Sequence, residues 1–294
     1  MIADSDLPTG WWPLAWSREL GSGEVQPRRL HGQELVLWRG ESGHPHVLDA
    51  FCLHLGHHLG YNGRVCGEEV RCFFHGWQWS PEGLNTLIPY DDRTHKGRRI
   101  TVWPVAEAGG LILVGRPATD SEPAPELHEV RGTEAPLTVR LEPALLLENL
   151  LDPYTAGPLL GARIGPQPPE LACDGRRLRA RHHCAADDRL TVDITVHGPG
   201  VATLRFGGIG YTLAVTPRGE EVEVRWGWSG EVAAPAGAAA ALREFVDLTA
   251  RMAASPPTGM DVISELRAWL AAHGTTRGRA HRTTNPTLPE RGMR

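Results

Sequence analysis

Two short segments of the chain each combine a cysteine with a histidine. In FCLHLGHHLG, Cys52 and His54 are separated by one residue, and in VRCFFHGW, Cys72 and His75 are separated by two. Seventeen residues lie between His54 and Cys72, so each segment can form a tight loop that offers one thiolate and one imidazole. A structural zinc ion accepts the same four donors in tetrahedral geometry, which keeps zinc as an alternative.

The order of these donors along the chain favours a different metal centre. A zinc finger usually pairs cysteine with cysteine and histidine with histidine, whereas here each loop mixes the two. Two mixed loops let each loop give one ligand to each of two irons, with the thiolates on one iron and the imidazoles on the other. Because this is the ligand set of a Rieske centre, we predict a [2Fe–2S] cluster held by Cys52, His54, Cys72 and His75.

The sequence around the two loops resembles Rieske domains generally, and those of the Rieske non-haem iron oxygenases in particular. The resemblance rests on GWWPLAWSREL, LVLWRGESGHPHVLDAFCLHLGHHLG and CFFHGWQWSPEG. Within that family it is most similar to the oxygenase components of ketosteroid hydroxylases and to cholesterol-desaturase-type enzymes. The resemblance implies an oxidoreductase that receives electrons from a ferredoxin or flavin reductase and acts on an apolar, polycyclic or polyketide-like small molecule.

The same resemblance bears on the reduction potential of the cluster. In the high-potential Rieske proteins of respiratory chains, a disulfide ties the two loops, and Ser and Tyr hydroxyls donate to the cluster sulfurs. Here the disulfide positions are His57 and Phe74, and the hydroxyl positions are Trp77 and Trp79. Fewer donors stabilise the reduced cluster less, so we predict a potential toward the low end of the Rieske range of about −150 to +300 mV. His57 and His58 are interpreted as solvated or supporting histidines rather than as ligands.

A second polar group lies in ENLLDPYTAGPLLG, residues 148–161. Glu148, Asn149 and Asp152 are spaced so that they share one helical face. In the oxygenases that the chain resembles, the pattern here is Asn-x-x-Asp-x-x-His-x4-His, and the two histidines with a later carboxylate hold a mononuclear iron. Thr155 and Leu160 stand where the histidines belong. We therefore expect the fold of this domain to be retained and the mononuclear Fe(II) to be absent.

The resemblance also suggests an assembly. In the family, the aspartate at the position of Asp152 bridges to a Rieske histidine of the neighbouring subunit in a ring of usually three chains, which implies a homotrimer or a hetero-oligomer with a related chain. Alternatively, Asp152 is a helix-end acid. Tyr154 is expected to face the cavity, so the candidate catalytic residues are Glu148, Asn149, Asp152 and Tyr154.

Other acids and histidines of the second domain could hold an iron at a position different from that of the family's mononuclear site. Asp247 is either the third carboxylate or a solvated helix residue. Three histidines lie on predicted strands, namely His182, His183 and His197. An inward-facing one could join Asp152 and Asp247 around an iron, or the three could simply pack or hydrogen-bond locally.

Composition narrows the partners and the compartment. A net charge of −5 and a pI near 6.3 give no concentrated basic face, so nucleic acid and anionic membranes are not expected as partners. No window approaches the roughly 18 apolar residues of a membrane span, and MIADSDLPTG lacks the pattern of a signal peptide. We expect a cytoplasmic protein. Five cysteines do not suggest a disulfide framework.

The pattern along the chain predicts an α+β protein with two domains. Short β-rich runs and turn residues over 1–118 indicate an all-β Rieske domain, and the Pro- and acid-rich segment 119–136 indicates a linker. Residues 137–273 combine five runs of period-two alternation with two helical stretches, as in the helix-grip domain of the resembled family. The helical stretches are about 236–253 and about 260–272. The Arg-rich segment 274–294 is expected to be a disordered tail or an arm lying on a neighbouring subunit.

Three classes of function remain open at this point. The first is a Rieske-type oxidoreductase acting on an apolar substrate. The second is a catalyst or binding protein without oxygen chemistry, which uses the helix-grip cavity and keeps the cluster as a structural element. The third is a non-catalytic subunit or electron relay that assembles with an intact oxygenase. Metal content separates them, because oxygen activation by the first requires close to three irons per chain or a relocated metal, whereas the other two predict two irons.

Overall fold

The computed structural model describes residues 9–95, 97–116, 123–175, 177–229, 237–253 and 266–268. The N-terminal part consists of three small antiparallel sheets. The first has the order β1-β11-β10 and comprises β1 (Gly10–Trp16), β10 (Val105–Ala108) and β11 (Leu111–Arg116). The second contains β2 (Val25–Leu30), β3 (Gln33–Arg39), β4 (Pro45–Asp49) and β9 (Val102–Trp103). The third contains β5 (Arg64–Cys66), β6 (Glu69–Arg71), β7 (Gln78–Trp79) and β8 (Asn85–Leu87).

Both candidate cluster cysteines are part of a hydrophobic core. Cys52 and Cys72 are 2% and 3% exposed and pack with the fully buried rings of Trp38 and Trp79. Large aromatic side chains bury much apolar surface, which allows a small sheet to hold short loops firmly. The loops that carry the cysteines are therefore anchored at their bases while their tips reach the surface.

The C-terminal part is one eight-stranded antiparallel sheet covered by helices. Its order is β12-β19-β18-β17-β16-β15-β14, with β13 also paired to β19. The strands are β12 (Gly132–Thr133), β13 (Leu137–Val139), β14 (Glu170–Cys173), β15 (Leu178–Cys184), β16 (Asp187–Val196), β17 (Val201–Phe206), β18 (Ile209–Pro217) and β19 (Val222–Ser229). The helices are α1 (Pro143–Leu151), α2 (Pro153–Leu160) and α3 (Ala238–Ala253). The predicted α+β class is confirmed.

A break between two helices positions the second polar group. α1 begins with proline, whose fixed φ suits a first helical residue, and ends at Asp152, which is extended with φ −80° and ψ 123°. Pro153 follows, and the residue before a proline disfavours helical backbone. The leucines of α1 form a stripe that is completely buried against the sheet, namely Leu146, Leu147, Leu150 and Leu151. Each such side chain stabilises the packing by about 2 kcal/mol, so the helix break is held in a fixed place.

The segment predicted as a linker, 119–136, contains a short strand near its C-terminal end. Gly132 and Thr133 form β12 and pair with Trp228 and Gly227, so the large sheet begins before residue 137. A two-residue strand has too little length for a periodic pattern. Its glycine is needed for close approach, because a Cβ at position 132 would lie 2.2 Å from the ring of Trp228.

The helical predictions near the C-terminus have mixed outcomes. The stretch predicted at 236–253 is α3, whose described part begins at Ala238. Of the stretch predicted at 260–272, residues 266–268 are described and are helical. The predicted tail, 274–294, lies outside the described residues. None of the helices in the described ranges has the length and apolar character to cross a bilayer.

Candidate functional site

The two cysteine–histidine loops have the same backbone turn. The amide of Gly56 donates to the carbonyl of Cys52 at 2.9 Å, and the amide of Gly76 donates to the carbonyl of Cys72 at 3.1 Å. Both glycines have a φ of 74°, a left-handed conformation that residues with a Cβ rarely adopt. Because the turns match, each loop presents its cysteine from the base and its histidine from the tip.

The loops bring like donors together. The Cys52 thiol is hydrogen-bonded to the sulfur of Cys72, and the rings of His54 and His75 have centroids 4.7 Å apart. The hydrogen bond from Cys52, together with the backbone amides of Phe74 and His75, lowers the pKa of Cys72 to about 5. The same pairing, with burial, raises the pKa of Cys52. These contacts favour the thiolate form of Cys72, the form in which cysteine binds metal.

This separation into a sulfur pair and a nitrogen pair fits a cluster better than a single ion. Within the described ranges, no three His, Cys, Asp or Glu side chains are placed to hold one metal ion. A Rieske cluster, however, takes two thiolates on one iron and two imidazoles on the other. The Nδ1 atom of His54 is buried and has no hydrogen-bond partner, so it is available as a ligand. These residues fit the [2Fe–2S] group.

Aromatic rings surround the histidine pair. Trp77 stacks on His54 with a centroid distance of 4.6 Å and an interplanar angle of 4°, and its indole N–H donates to the Tyr90 hydroxyl at 2.7 Å. His57 lies 5.8 Å from Phe74, ring centroid to ring centroid. His57 and Phe74 occupy the two positions of the disulfide in high-potential proteins, so ring packing connects the loops where a covalent bond is absent.

Trp79 supplies a donor that the sequence analysis missed. Its indole N–H lies 3.4 Å from the sulfur of Cys52 and donates to it. The sequence analysis expected fewer donors than in the high-potential proteins, and Trp79 adds one donor, to the sulfur of Cys52. The sequence does show that an indole N–H can only donate a hydrogen bond. It does not show which acceptor the Trp79 N–H meets, because Cys52 lies 27 residues away along the chain.

This contact gives a testable effect on the reduction potential. A donor to a ligating sulfur stabilises the more negative, reduced cluster, so replacing Trp79 by Phe is expected to lower the midpoint potential. With about 1 kcal/mol for the hydrogen bond and about 59 mV per tenfold change for one electron, the fall is roughly 40 mV. Redox titration followed by EPR measures it.

The matched control is Trp103→Phe. The Trp103 indole N–H donates to Asp49 at 2.8 Å, away from the cluster loops, so this change also removes one partly buried indole hydrogen bond. We expect its potential to stay at the wild-type value. Equal potentials for wild type and Trp79→Phe would show that the N–H···S contact has no electronic effect.

The side chains at the helix break are buried and engaged. Glu148, Asn149 and Asp152 are each 5% exposed, and Thr155 is 2% exposed. The Thr155 hydroxyl donates to the carbonyls of Asn149 and Asp152, the latter at 3.1 Å. Arg267 donates to both carboxylate oxygens of Glu148, at 2.7 and 2.8 Å. The structure thus brings Glu148, Asn149 and Asp152 to one place, while the side chain of Tyr154 lies outside the described residues.

The two positions at which the sequence analysis places the missing histidines have structural contacts. The Thr155 hydroxyl adds a further donor to the carbonyls of Asn149 and Asp152, which also accept from the backbone amides of Asp152 and Ala156 respectively. Leu160 is buried in the core between the helices and the sheet. Neither contact leaves an oxygen or nitrogen atom directed at a metal.

The proposed relocated metal site is not assembled in the described part of the chain. Asp247 is exposed on α3. His182 is fully buried, burial lowers its pKa, and its ring lies within hydrogen-bond reach of the Leu151 backbone. His183 faces Glu170 at 3.4 Å, and His197 contacts the Thr203 hydroxyl at 2.7 Å. These contacts favour the interpretation that the three histidines pack or hydrogen-bond locally, and no group of three His, Cys, Asp or Glu side chains converges in the described part of the chain.

Comparison with known proteins identifies the class of the N-terminal domain. Residues 10–104 match the model of the Rieske [2Fe-2S] domain, and the chain therefore contains such a domain. Over most of its length the fold is that of the Rieske oxygenases. Dicamba monooxygenase superposes with a TM-score of 0.68 at 17% identity, covering 89% of this chain and 95% of that one. The oxygenase of carbazole 1,9a-dioxygenase, solved in complex with ferredoxin, gives a TM-score of 0.60 at 19% identity, covering 91% and 82%.

Curated relatives match the N-terminal part. The oxygenase component of 3-ketosteroid-9-alpha-monooxygenase from Rhodococcus rhodochrous is 35% identical over 127 residues, which are 42% of this chain and 33% of that protein. Cholesterol 7-desaturase from Bombyx mori is 38% identical over 122 residues, 42% of this chain and 27% of that protein. The match thus spans about a third of these relatives' length. The resemblance predicted from the loop sequences is confirmed.

Proposed function

We propose that this protein is a Rieske-type oxidoreductase, related to the oxygenase components that act on apolar polycyclic substrates, in which the mononuclear iron site has been lost. The observation that carries the proposal is the arrangement of the four donors. Cys52 and Cys72 meet through their sulfurs, His54 and His75 meet through their rings, and Nδ1 of His54 lacks any other partner. These four residues are the proposed ligands of the [2Fe–2S] cluster.

The chain's own residues support transfer of single electrons at the loop tips. The cluster, when bound, supplies a one-electron redox centre. The thiolates lie in the core, whereas the two imidazoles lie nearer the surface and are partly exposed. Leu55, Phe73 and Phe74 around them are 67%, 58% and 57% exposed. This apolar rim suits a transient partner, and we propose a ferredoxin or flavin reductase as the electron donor.

The absence of a mononuclear Fe(II) is supported by the bonding of Thr155 and the burial of Leu160. A neutral hydroxyl is a weak ligand, and that of Thr155 already donates to two carbonyls. A second candidate function follows from this, namely an electron relay that assembles with an intact oxygenase chain in a trimeric or mixed ring. It is favoured by the exposed apolar rim on the cluster loops together with a helix site that has no metal ligands.

The division of labour along the chain is also part of the proposal. Residues 1–118 form the electron-transfer unit, 137–273 form the unit derived from a catalytic domain, and 119–136 connect them apart from the short strand β12. Glu148, Asn149, Asp152 and Tyr154 are the candidate polar groups of the second unit. Asp152 remains the proposed bridge to a neighbouring subunit's cluster histidine.

Iron and acid-labile sulfide content tests the proposal directly. A Rieske cluster alone gives two irons and two sulfides per chain, and we expect this stoichiometry in protein purified under anaerobic conditions with added Fe(II). A third iron, bound in proportion to the chain, would contradict loss of the mononuclear site. One zinc and no sulfide would contradict the cluster itself.

Restoring the lost histidines is a second test. In the double variant Thr155→His with Leu160→His, two imidazoles return to the family positions, and we expect a third Fe(II) to bind per chain. The single variant Thr155→His is the matched control, because one imidazole alone should not hold the ion. If the double variant retains its cluster yet takes up no further iron, the assignment of Thr155 and Leu160 to the ligand positions is wrong.

A further inference from the structure

A cavity of about 280 Å³ lies where the first cluster loop meets the large sheet. On one side it is bounded by β2, β3 and the residue that follows the loop, and on the other by the turn between β18 and β19. The function proposed above makes no use of it. Its lining is rich in charge and consists of Pro27, Arg28, Arg29, Glu34, Tyr61, Arg218 and Glu221.

Three guanidinium groups beside this cavity share two carboxylates. Arg225 contacts Glu19 at 3.1 Å and also pairs closely with Glu223. Arg218 donates to the same Glu223 at 2.6 Å. Arg28 has its nearest carboxylate in Glu19, 3.9 Å away and already engaged by Arg225. The group of five therefore carries one positive charge in excess.

The remaining charges on the lining neutralise one another. Arg29 donates to Glu34 at 2.7 Å, and Glu221 lies 3.9 Å from Arg140. Glu34 also approaches the ring of His58 at 3.5 Å. The excess charge thus stays with the group formed by Arg28, Arg218 and Arg225.

Arg28 is the least compensated of the three. Its side chain is 15% exposed, its terminal nitrogens donate to the Pro27 carbonyl at 3.0 Å and to the Gln26 side-chain oxygen, and its Nε atom is buried without a hydrogen-bond partner. Burial and the neighbouring guanidinium of Arg225 lower the pKa of Arg28. A buried cation whose donors are incompletely used is costly, because the penalty for removing it from water is not repaid.

We propose that this cavity binds a small oxyanion, a carboxylate or a phosphate, held by the guanidinium groups of Arg28 and Arg218. Arginine presents a fork of N–H donors that matches the oxygens of either group, and such charged hydrogen bonds are strong when partly shielded from water. The cavity volume suits a small organic acid or phosphate. The Tyr61 hydroxyl is a further donor at its rim. Because Arg28 and Arg218 come from the two halves of the chain, the bound anion would connect them.

Calorimetric titration of the cluster-loaded full chain tests this site. Inorganic phosphate and succinate are titrated separately at constant ionic strength, with chloride as the background anion. We expect saturable binding of at least one, with a Kd below about 1 mM. Phosphate alone assigns the phosphate class, succinate alone the carboxylate class, and binding of both assigns a general oxyanion site.

Two variants move the affinity in opposite directions. Arg218→Gln removes one ligand and the charge excess, so binding should weaken by about tenfold or more. Glu19→Gln doubles the charge excess and should tighten binding several-fold. The control Arg179→Gln removes a surface arginine paired with Asp174 and should leave the affinity unchanged.

The outcomes that overturn the proposal are specific. No saturable heat with either anion would show that the cavity is not an oxyanion site. The same conclusion follows if Arg218→Gln, folded and cluster-loaded, binds as tightly as wild type. Should Arg218→Gln fail to fold, Glu19→Gln decides the question, because unchanged or weaker binding there contradicts the role of the charge excess.

Discussion

Replacing His54 by alanine is expected to abolish the EPR signal of the reduced mixed-ligand cluster and the brown colour of the protein. The imidazole Nδ1 of His54 is buried with no partner in the described structure, and the His75 ring lies 4.7 Å away, centroid to centroid. Without His54, the iron on the histidine side keeps one protein ligand, whereas the thiolate side is untouched. We expect acid-labile sulfide to fall to a small fraction of the wild-type content.

His57→Ala is the matched control for this loss. His57 belongs to the same loop and is of the same residue type, but its Nε2 lies 3.3 Å from the Tyr61 carbonyl and its ring packs near Phe74. That variant should keep its signal and its sulfide, since His57 is not a proposed ligand. A normal spectrum for His54→Ala, or loss of the cluster from His57→Ala alone, would show that His54 is not the ligand.

The four proposed cluster ligands could be predicted because each cysteine–histidine pair lies within a short stretch of sequence. Cys52 with His54, and Cys72 with His75, lie within single turns whose shape depends on Gly56 and Gly76 a few residues away. Short-range spacing therefore identifies the donors and their mixed order. The alternation of the sheet strands and the long α3 were equally local signals, which is why the α+β class was predictable.

The missed contacts connect residues that are distant in the sequence. Trp79 reaches Cys52 across 27 residues, and Arg267 reaches Glu148 across 119. No periodic pattern specifies which of many donors will meet a given acceptor, because that choice is made by the packing of whole elements. The strand β12 could not be predicted for a related reason. Its two residues are extended because they pair with β19, and not because of a β-propensity of their own.

The helix break between α1 and α2 contains both a feature that the sequence predicts and contacts that it does not predict. The absence of histidines at Thr155 and Leu160 is visible in the sequence, but what replaced them is visible only in the structure. Thr155 became a cap for the carbonyls of Asn149 and Asp152, and Leu160 joined the core. Glu148 is paired with Arg267, which compensates its charge.

Stability should fall steeply between pH 6.5 and about pH 4 because of two half-buried histidines away from the cluster, His31 and His197. Burial lowers the pKa of His31 and of His197 from 6.5 to about 4 each. Above pH 6.5 both are neutral in the folded and unfolded chains, and their contribution to stability is complete. As the pH falls below 6.5, these two histidines become protonated in the unfolded chain, whereas in the folded chain they stay neutral until about pH 4. Each histidine then removes about 1.4 kcal/mol per pH unit, or roughly 3 kcal/mol over the window.

His31→Asn isolates one of these contributions. His31 has a φ of 48°, and asparagine tolerates this left-handed conformation better than most residues, so the turn should persist. The free energy of unfolding, from denaturant titrations at pH 7 and pH 4.5, should decline by roughly 3 kcal/mol less in the variant than in wild type. The exposed His44, changed to Asn, serves as the control and should leave the pH dependence intact. Because comparison with wild type cancels any acid lability of the cluster ligands, an unchanged decline in His31→Asn would mean that His31 takes up its proton in the folded chain without penalty.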